Sequence, residues 1–142
     1  MYYFDSAYVA KCYLNDPDSE LVRDLVRTPV PLYSSALCIP EVTAAIHRRY
    51  RERLLSRKQA RELAAFFRAH VEGGTWTLVP LSEGLLWEVH ESLRTLASKV
   101  FLRAGDAIHL VSARLSGFSE IWTNDRHMLE AASHFHLTGR AV

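Results

Sequence analysis

The chain has 142 residues, enough for one compact domain and little more. Apolar residues make up 49%, which allows a core without disulfides, and the two cysteines form no C-x-x-C pair, so zinc and thioredoxin-like chemistry have no support. A net charge of +1, from 17 Lys+Arg against 16 Asp+Glu, excludes nucleic-acid binding through bulk charge and leaves only local patches.

Taken in order, short β-type runs alternate with longer helical patterns. Tyr2-Tyr3-Phe4 reads as a strand, followed by a helix to Leu14 that Asn15-Asp16-Pro17 ends. Asp18 to Arg27 reads as a second helix, and Leu32-Tyr33-Ser34 as a strand. Pro40 is expected to open a long helix to about Leu55, as Pro does at a first helical position. Ser56 can cap the next, which ends at Gly73-Gly74. Trp76 to Val79 is a strand, Ser82 to about Ser98 a helix, and Asp106 to about Leu115 an apolar helix preceded by Gly105. Ile121-Trp122-Thr123 is a strand, Asn124 to Ser133 a helix, and Phe135-His136-Leu137 a last strand. This alternation predicts an α/β fold: a three-layer α/β/α sandwich with a central parallel sheet, residues 1–142 forming a single domain. No repeat or linker interrupts it. Two sparse cysteines suit a reducing compartment. No apolar run approaches a membrane span, and Asp5 breaks the aromatic start in a way unlike a signal peptide. A cytoplasmic location with no membrane contact is expected.

In parallel α/β sheets ligands bind outside the carboxyl ends of the strands. Four acids fall at strand-to-helix junctions or in first helical turns: Asp5, Glu41, Asp106 and Asp125. Each taken singly is explained by capping or by the helix dipole. Taken together, four carboxylates in one cleft would repel unless a cation intervened, and oxygen-only ligands suit Mg²⁺ or Mn²⁺. Such ions activate water and stabilise the charge on a phosphodiester. Spacing alone leaves open whether the acids converge.

The segments FDSAYVAKCYL, SSALCIPEVTAAI, LRAGDAIHLVSA and IWTNDRHMLEAA, in this order, resemble the PIN-domain family, and within it the VapC-like toxins of prokaryotic toxin–antitoxin pairs. The resemblance covers nearly the whole chain. It implies a Mg²⁺- or Mn²⁺-dependent ribonuclease leaving a 5′-phosphate and a 3′-hydroxyl. The family's four acids map onto Asp5, Glu41, Asp106 and Asp125. Asp5, Asp106 and Asp125 would bind metal, and Glu41 would bind metal or orient the attacking water. Thr123 and Asn124 match the family's Thr-x-Asp segment and are expected to support the site. The family often has a small hydroxyl residue two places after the first Asp; here Ala7 stands there, and Ser6 is the neighbouring hydroxyl. The resemblance also implies an RNA substrate, a homodimer and a small antitoxin partner.

The most basic stretch runs from His47 to Arg53 and extends to Arg57, Lys58 and Arg61. Arg48 lies on the Glu41 face of its helix and is a candidate RNA contact. The plainer expectation is a solvated Arg48–Glu52 pair. Lys11, one to two turns beyond Asp5, is a candidate contact with the acids or with RNA. His109, three residues after Asp106, is expected to be a hydrogen-bonded core histidine rather than a ligand. Two rivals differ in chemistry. An aspartyl phosphotransferase needs a second Asp two residues after the first, which Asp5-Ser6-Ala7 lacks. A PIN-fold binding module, or a housekeeping RNA-processing nuclease without a toxin role, would keep the fold; a metal-dependent cleavage assay separates the binding module.

Overall fold

The structure, a computed structural model, describes residues 1–142. The strands are β1 (Tyr2–Tyr3), β2 (Leu32–Ser35), β3 (Trp76–Val79), β4 (Glu120–Trp122) and β5 (Thr138–Arg140). The helices are α1 (Ser6–Lys11), α2 (Ser19–Val26), α3 (Cys38–Arg51), α4 (Arg57–Glu72), α5 (Glu83–Thr95), α6 (Ala104–Leu115) and α7 (Arg126–Ala131), with a 3₁₀ turn at Ala132–Phe135. β1 pairs in parallel with β2, β2 with β3, and β4 with β5. A parallel bridge from Phe4 to Trp122, with the Asp5 amide donating to the Trp122 carbonyl at 3.2 Å, joins the two sets. The strand order is therefore β3-β2-β1-β4-β5. The order reverses at β1, where the first two crossovers leave on one side and the last two on the other. Such a reversal opens a crevice at the carboxyl edge.

Strand alternation sorts the core into two layers. Tyr3, Tyr33 and Ile121 face a cluster formed with Leu85, Val89, Leu110, Val111 and Met128, under α5, α6 and α7. Phe4, Leu32 and Trp122 face the opposite cluster, with Val9, Val42, Ile46 and Phe67 from α1, α3 and α4. The predicted α/β/α sandwich with its central parallel sheet is the observed one. No helix is long and apolar enough to cross a membrane.

Several boundaries differ from expectation. α3 opens at Cys38, two residues before Pro40. Pro40 is still tolerated, because N–H groups in a first turn have no intrahelical partner to lose. Likewise α6 begins at Ala104 rather than Asp106. The final strand is Thr138–Arg140 rather than Phe135–Leu137, because Phe135 closes the 3₁₀ turn and His136 takes a left-handed backbone with φ of 58°. Ser56 caps α4 with a full capping box, its hydroxyl accepting from the Gln59 amide at 3.1 Å.

Candidate active site

Asp5 follows β1 directly and caps α1; its Oδ1 accepts the Tyr8 amide at 2.8 Å. Asp125 follows β4 and caps α7, its Oδ1 accepting the Met128 amide at 3.0 Å. Because β1 and β4 are neighbours, their two capping acids come to one edge. Thr123, fully buried, ties them together: its hydroxyl donates to Asp5 Oδ2 at 2.5 Å and accepts the Asp125 amide at 3.0 Å. Glu41 reaches the same place from the first turn of α3, and Asp106 from the first turn of α6. All four acids line one cleft of about 630 Å³ together with Ser6, Ala7, Arg48, Arg103 and His109.

Gly105 makes the approach of α3 to α6 possible. A Cβ there would stand 3.0 Å from Glu41 Oε1 and 3.7 Å from the Leu37 side chain. Any side chain at this position would press on the Glu41 carboxylate.

Two groups contact three of the four acids. Arg103 Nε donates to Asp106 Oδ2 at 3.0 Å, and its Nη2 reaches Asp125 Oδ2 at 3.3 Å. His109 Nε2 lies 2.8 Å from Ser6 Oγ and 3.3 Å from Glu41 Oε2, while Tyr3 OH lies 3.4 Å from its Nδ1. The acids therefore share a cleft without forming a closed ligand set, and no three potential ligand groups stand close enough to grip one ion. Arg103 is shared by Asp106 and Asp125 and His109 contacts Glu41, which lowers the mutual repulsion without balancing it.

The environments differ. Burial dominates at Asp5 and raises its carboxyl above the ordinary value, against the opposing effects of the His109 charge and the Thr123 hydrogen bond. Burial also pushes Glu41 up, but the polar contacts of His109 and Ser6 and the nearby charges of His109 and Arg103 together outweigh it. The net effect lowers Glu41 below the usual glutamate value. Oxygen donors of this kind suit a hard divalent ion such as Mg²⁺ or Mn²⁺.

The other predicted residues separate. Ser6 Oγ bonds His109 Nε2, and its polar contact also lowers the Glu41 carboxyl, so the hydroxyl next to Asp5 is directed at His109 and Glu41. Asn124 turns away from the cleft: its Oδ1 accepts from Tyr8 OH at 2.6 Å and its Nδ2 donates to Asp18. Lys11 also leaves the site, its ammonium pairing with Asp18. The helical period explains the placement of Lys11, which lies six residues past Asp5 and so points some 240° around α1; Asn124 lies in the irregular segment between β4 and α7. Arg48 lines the cleft and pairs with Glu52 at 2.8 Å. His109 is a hydrogen-bonded core histidine, 2% exposed, yet it contacts Glu41. Sequence reasoning missed Arg103. Its signal was an i,i+3 Arg–Asp spacing at a helix start, a pattern common enough to pass as a simple ion pair.

A parallel α/β domain with four acids at its strand-order reversal is the framework these observations define. The family model described as "PIN domain" matches residues 2–133, and the chain belongs to that family. Solved structures share the fold at low identity. Mycobacterium tuberculosis VapC20, described as a sarcin–ricin loop cleaving toxin, superposes with a TM-score of 0.75 at 15% identity, covering 92% of this chain and 95% of its own. FitAB bound to the IR36 DNA fragment gives 0.70 at 15% identity, covering 99% and 94%. FitAcB from Neisseria gonorrhoeae gives 0.68 at 15% identity, covering 98% and 96%. No curated protein sequence matches the chain significantly.

Proposed function

We propose that this chain is a metal-dependent ribonuclease, the toxin of a toxin–antitoxin pair. The carrying observation is the cleft itself: Asp5, Glu41, Asp106 and Asp125 converge there with only one arginine among its lining residues in contact with them. Membership of the PIN family and a fold shared with an RNA-cleaving toxin support the same reading.

When bound, Mg²⁺ or Mn²⁺ supplies Lewis-acid charge for the phosphodiester and lowers the pKa of water. Asp5, Asp106 and Asp125 would hold the ion. Glu41, charged and held by His109, accepts a hydrogen bond from the attacking water and orients it toward phosphorus. Attack opposite the 3′-oxygen leaves a 5′-phosphate and a 3′-hydroxyl. Thr123 keeps Asp5 and Asp125 in register, and the buried floor at Asp5 excludes solvent from one side. Arg103 occupies the place where a partner's cation would inhibit. An antitoxin that presents Arg or Lys to the four acids would use the same electrostatics. A homodimer is part of this proposal, supported by the apolar side chains left exposed near α5 and before α6: Leu86 at 44%, Trp87 at 60% and Phe101 at 58%.

The test is cleavage of a labelled RNA with Mn²⁺, with EDTA, and with Asp5→Asn. Cleavage that survives chelation, or products ending in a 2′,3′-cyclic phosphate, would overturn the reading. A protein that binds RNA without metal-dependent cleavage would be a binding module. Harmless overexpression of cleaving protein in the host would make it a housekeeping nuclease.

A further inference from the structure

Charge in this chain is unevenly placed. Residues 47–61 carry seven of the 17 Lys+Arg and one of the 16 Asp+Glu, a net of +6 that leaves −5 for the rest of a chain whose total is +1. This segment is the hairpin between α3 and α4. Three of its cations have acidic partners: Arg48 with Glu52, Arg49 with Asp16 and Lys58 with Glu62. Arg51, Arg53, Arg57 and Arg61 are exposed and make no ion pair. Four arginines held near one another without counter-charge repel, which favours a polyanionic partner.

The hairpin is continuous with the acid cleft. Glu41, Ala44, Ala45 and Arg48 line the cleft along one face of α3, and Arg51, about 15 Å from Glu41 by helical rise, is turned about 60° from Arg48 toward the side that carries His47. On the far side of α3 from the cleft, a hollow between α3 and α4 is lined by Thr43, Ile46, His47, Tyr50, Arg57 and Arg61. Tyr50 is 40% exposed and packs edge-on against His47, so part of an aromatic side chain is open to solvent among the arginines. Unpaired arginines with an exposed aromatic side chain match what a single nucleic-acid strand needs: phosphate contacts plus a surface for a base.

We infer that the α3–α4 hairpin holds the single-stranded RNA that flanks the cut, with Arg51, Arg53, Arg57 and Arg61 on phosphates and Tyr50 under a base. This rests on the ribonuclease reading and names how that site takes a long substrate. An acidic polypeptide is the competing occupant. RNA is favoured because the basic run begins at Arg48 in the proposed phosphodiester site and, round the end of α3, reaches an exposed aromatic side chain at Tyr50.

The experiment measures fluorescence anisotropy of a labelled single-stranded 20-mer in EDTA, where no cleavage complicates binding. Arg51→Ala/Arg53→Ala/Arg57→Ala should weaken binding at least ten-fold and flatten the slope of log K against log salt by about two, as loss of three single-strand phosphate contacts requires. Arg27→Ala/Arg94→Ala/Lys99→Ala removes the same charge elsewhere and should leave affinity within two-fold. Tyr50→Ala should cost at least five-fold, consistent with loss of base stacking. Equal losses in the two triple variants would overturn the inference, as would an unchanged salt slope or competition by polyglutamate as effective as by RNA. Circular dichroism confirms that each variant is folded. The outcome is separable from the ribonuclease reading: a protein that binds RNA through these arginines and cleaves nothing sinks that reading alone.

Discussion

Two polar clusters are built around α1, and they differ in charge balance. One is the cleft, where four acids meet Arg103 and His109. The other lies beyond Lys11, where Asp18 takes Lys11 and Asn124, Asp16 takes Arg49, and Tyr8 OH links Asn124 to the Val142 amide. Each acid of the second cluster has its own cation, so the network is closed and needs no ligand. It ties the N-terminal helices to the segment after β4 and to the C-terminus. The cleft has more acid than cation and is closed only in part. Balanced polar groups hold a fold together; an imbalance at a sheet's carboxyl edge asks for something from outside.

The largest expected effect separates the clusters by activity. Asp5→Asn and Asp106→Asn should each lower metal-dependent RNA cleavage by at least about a hundred-fold, on the scale of lost metal or acid–base catalysis. Asp18→Asn should leave it within about two-fold. Comparable losses from all three, in a quenched-RNA assay, would erase the distinction.

Stability should divide the other way. Asp18→Ala strands the Lys11 ammonium and the Asn124 amide and should cost about 1–2 kcal/mol, a drop of several degrees in melting temperature. Asp5→Asn keeps the cap, because Asn caps as well as Asp, and should hold or raise the melting temperature in EDTA. A fall of several degrees for Asp5→Asn would show that the cleft acid is structural.

Metal affinity sharpens the comparison further. Arg103 contacts two of the proposed ligands, so Arg103→Ala should tighten Mn²⁺ binding several-fold by titration calorimetry. Lys11→Ala should not change it, since Lys11 faces Asp18. Weaker Mn²⁺ binding in Arg103→Ala would mean that the arginine organises the acids rather than competing for them.

The smallest effect is a difference in sign with pH. Burial raises Asp5, so its ionisation costs stability at neutral pH, and that cost fades as pH falls through the folded value toward 3.8. The advantage of Asp5→Asn should therefore shrink on acidification. The hydrogen bond from Lys11 lowers Asp18, so its stabilisation is present above 3.8 and lost as pH falls through its folded value. Melting curves of both variants in EDTA between neutral and acid pH check the pair; parallel curves would contradict it.

The sequence by itself determined the element order, the parallel α/β class and the four acids. Those features are local or periodic: strands such as Trp76–Val79 and caps such as Ser56 are written in a few adjacent residues. The acids were legible because each starts a helix, where capping chemistry also puts them. Their common cleft was legible only through family resemblance, since local spacing contains no information on how β4 lies beside β1. Only the tertiary structure decided which neighbours share the site. Lys11 and Asn124 are close in sequence to the acids yet point to Asp18: on α1 each residue turns a side chain by about 100°, and Asn124 lies in the irregular link between β4 and α7. Arg103 and Gly105, and the particular partners of Thr123 and His109, became informative only when α6 and β4 were brought against β1 and α3. Their contacts at the cleft span sequence separations of up to 118 residues. Such contacts follow from packing two apolar layers on one sheet, and no short window of sequence carries them.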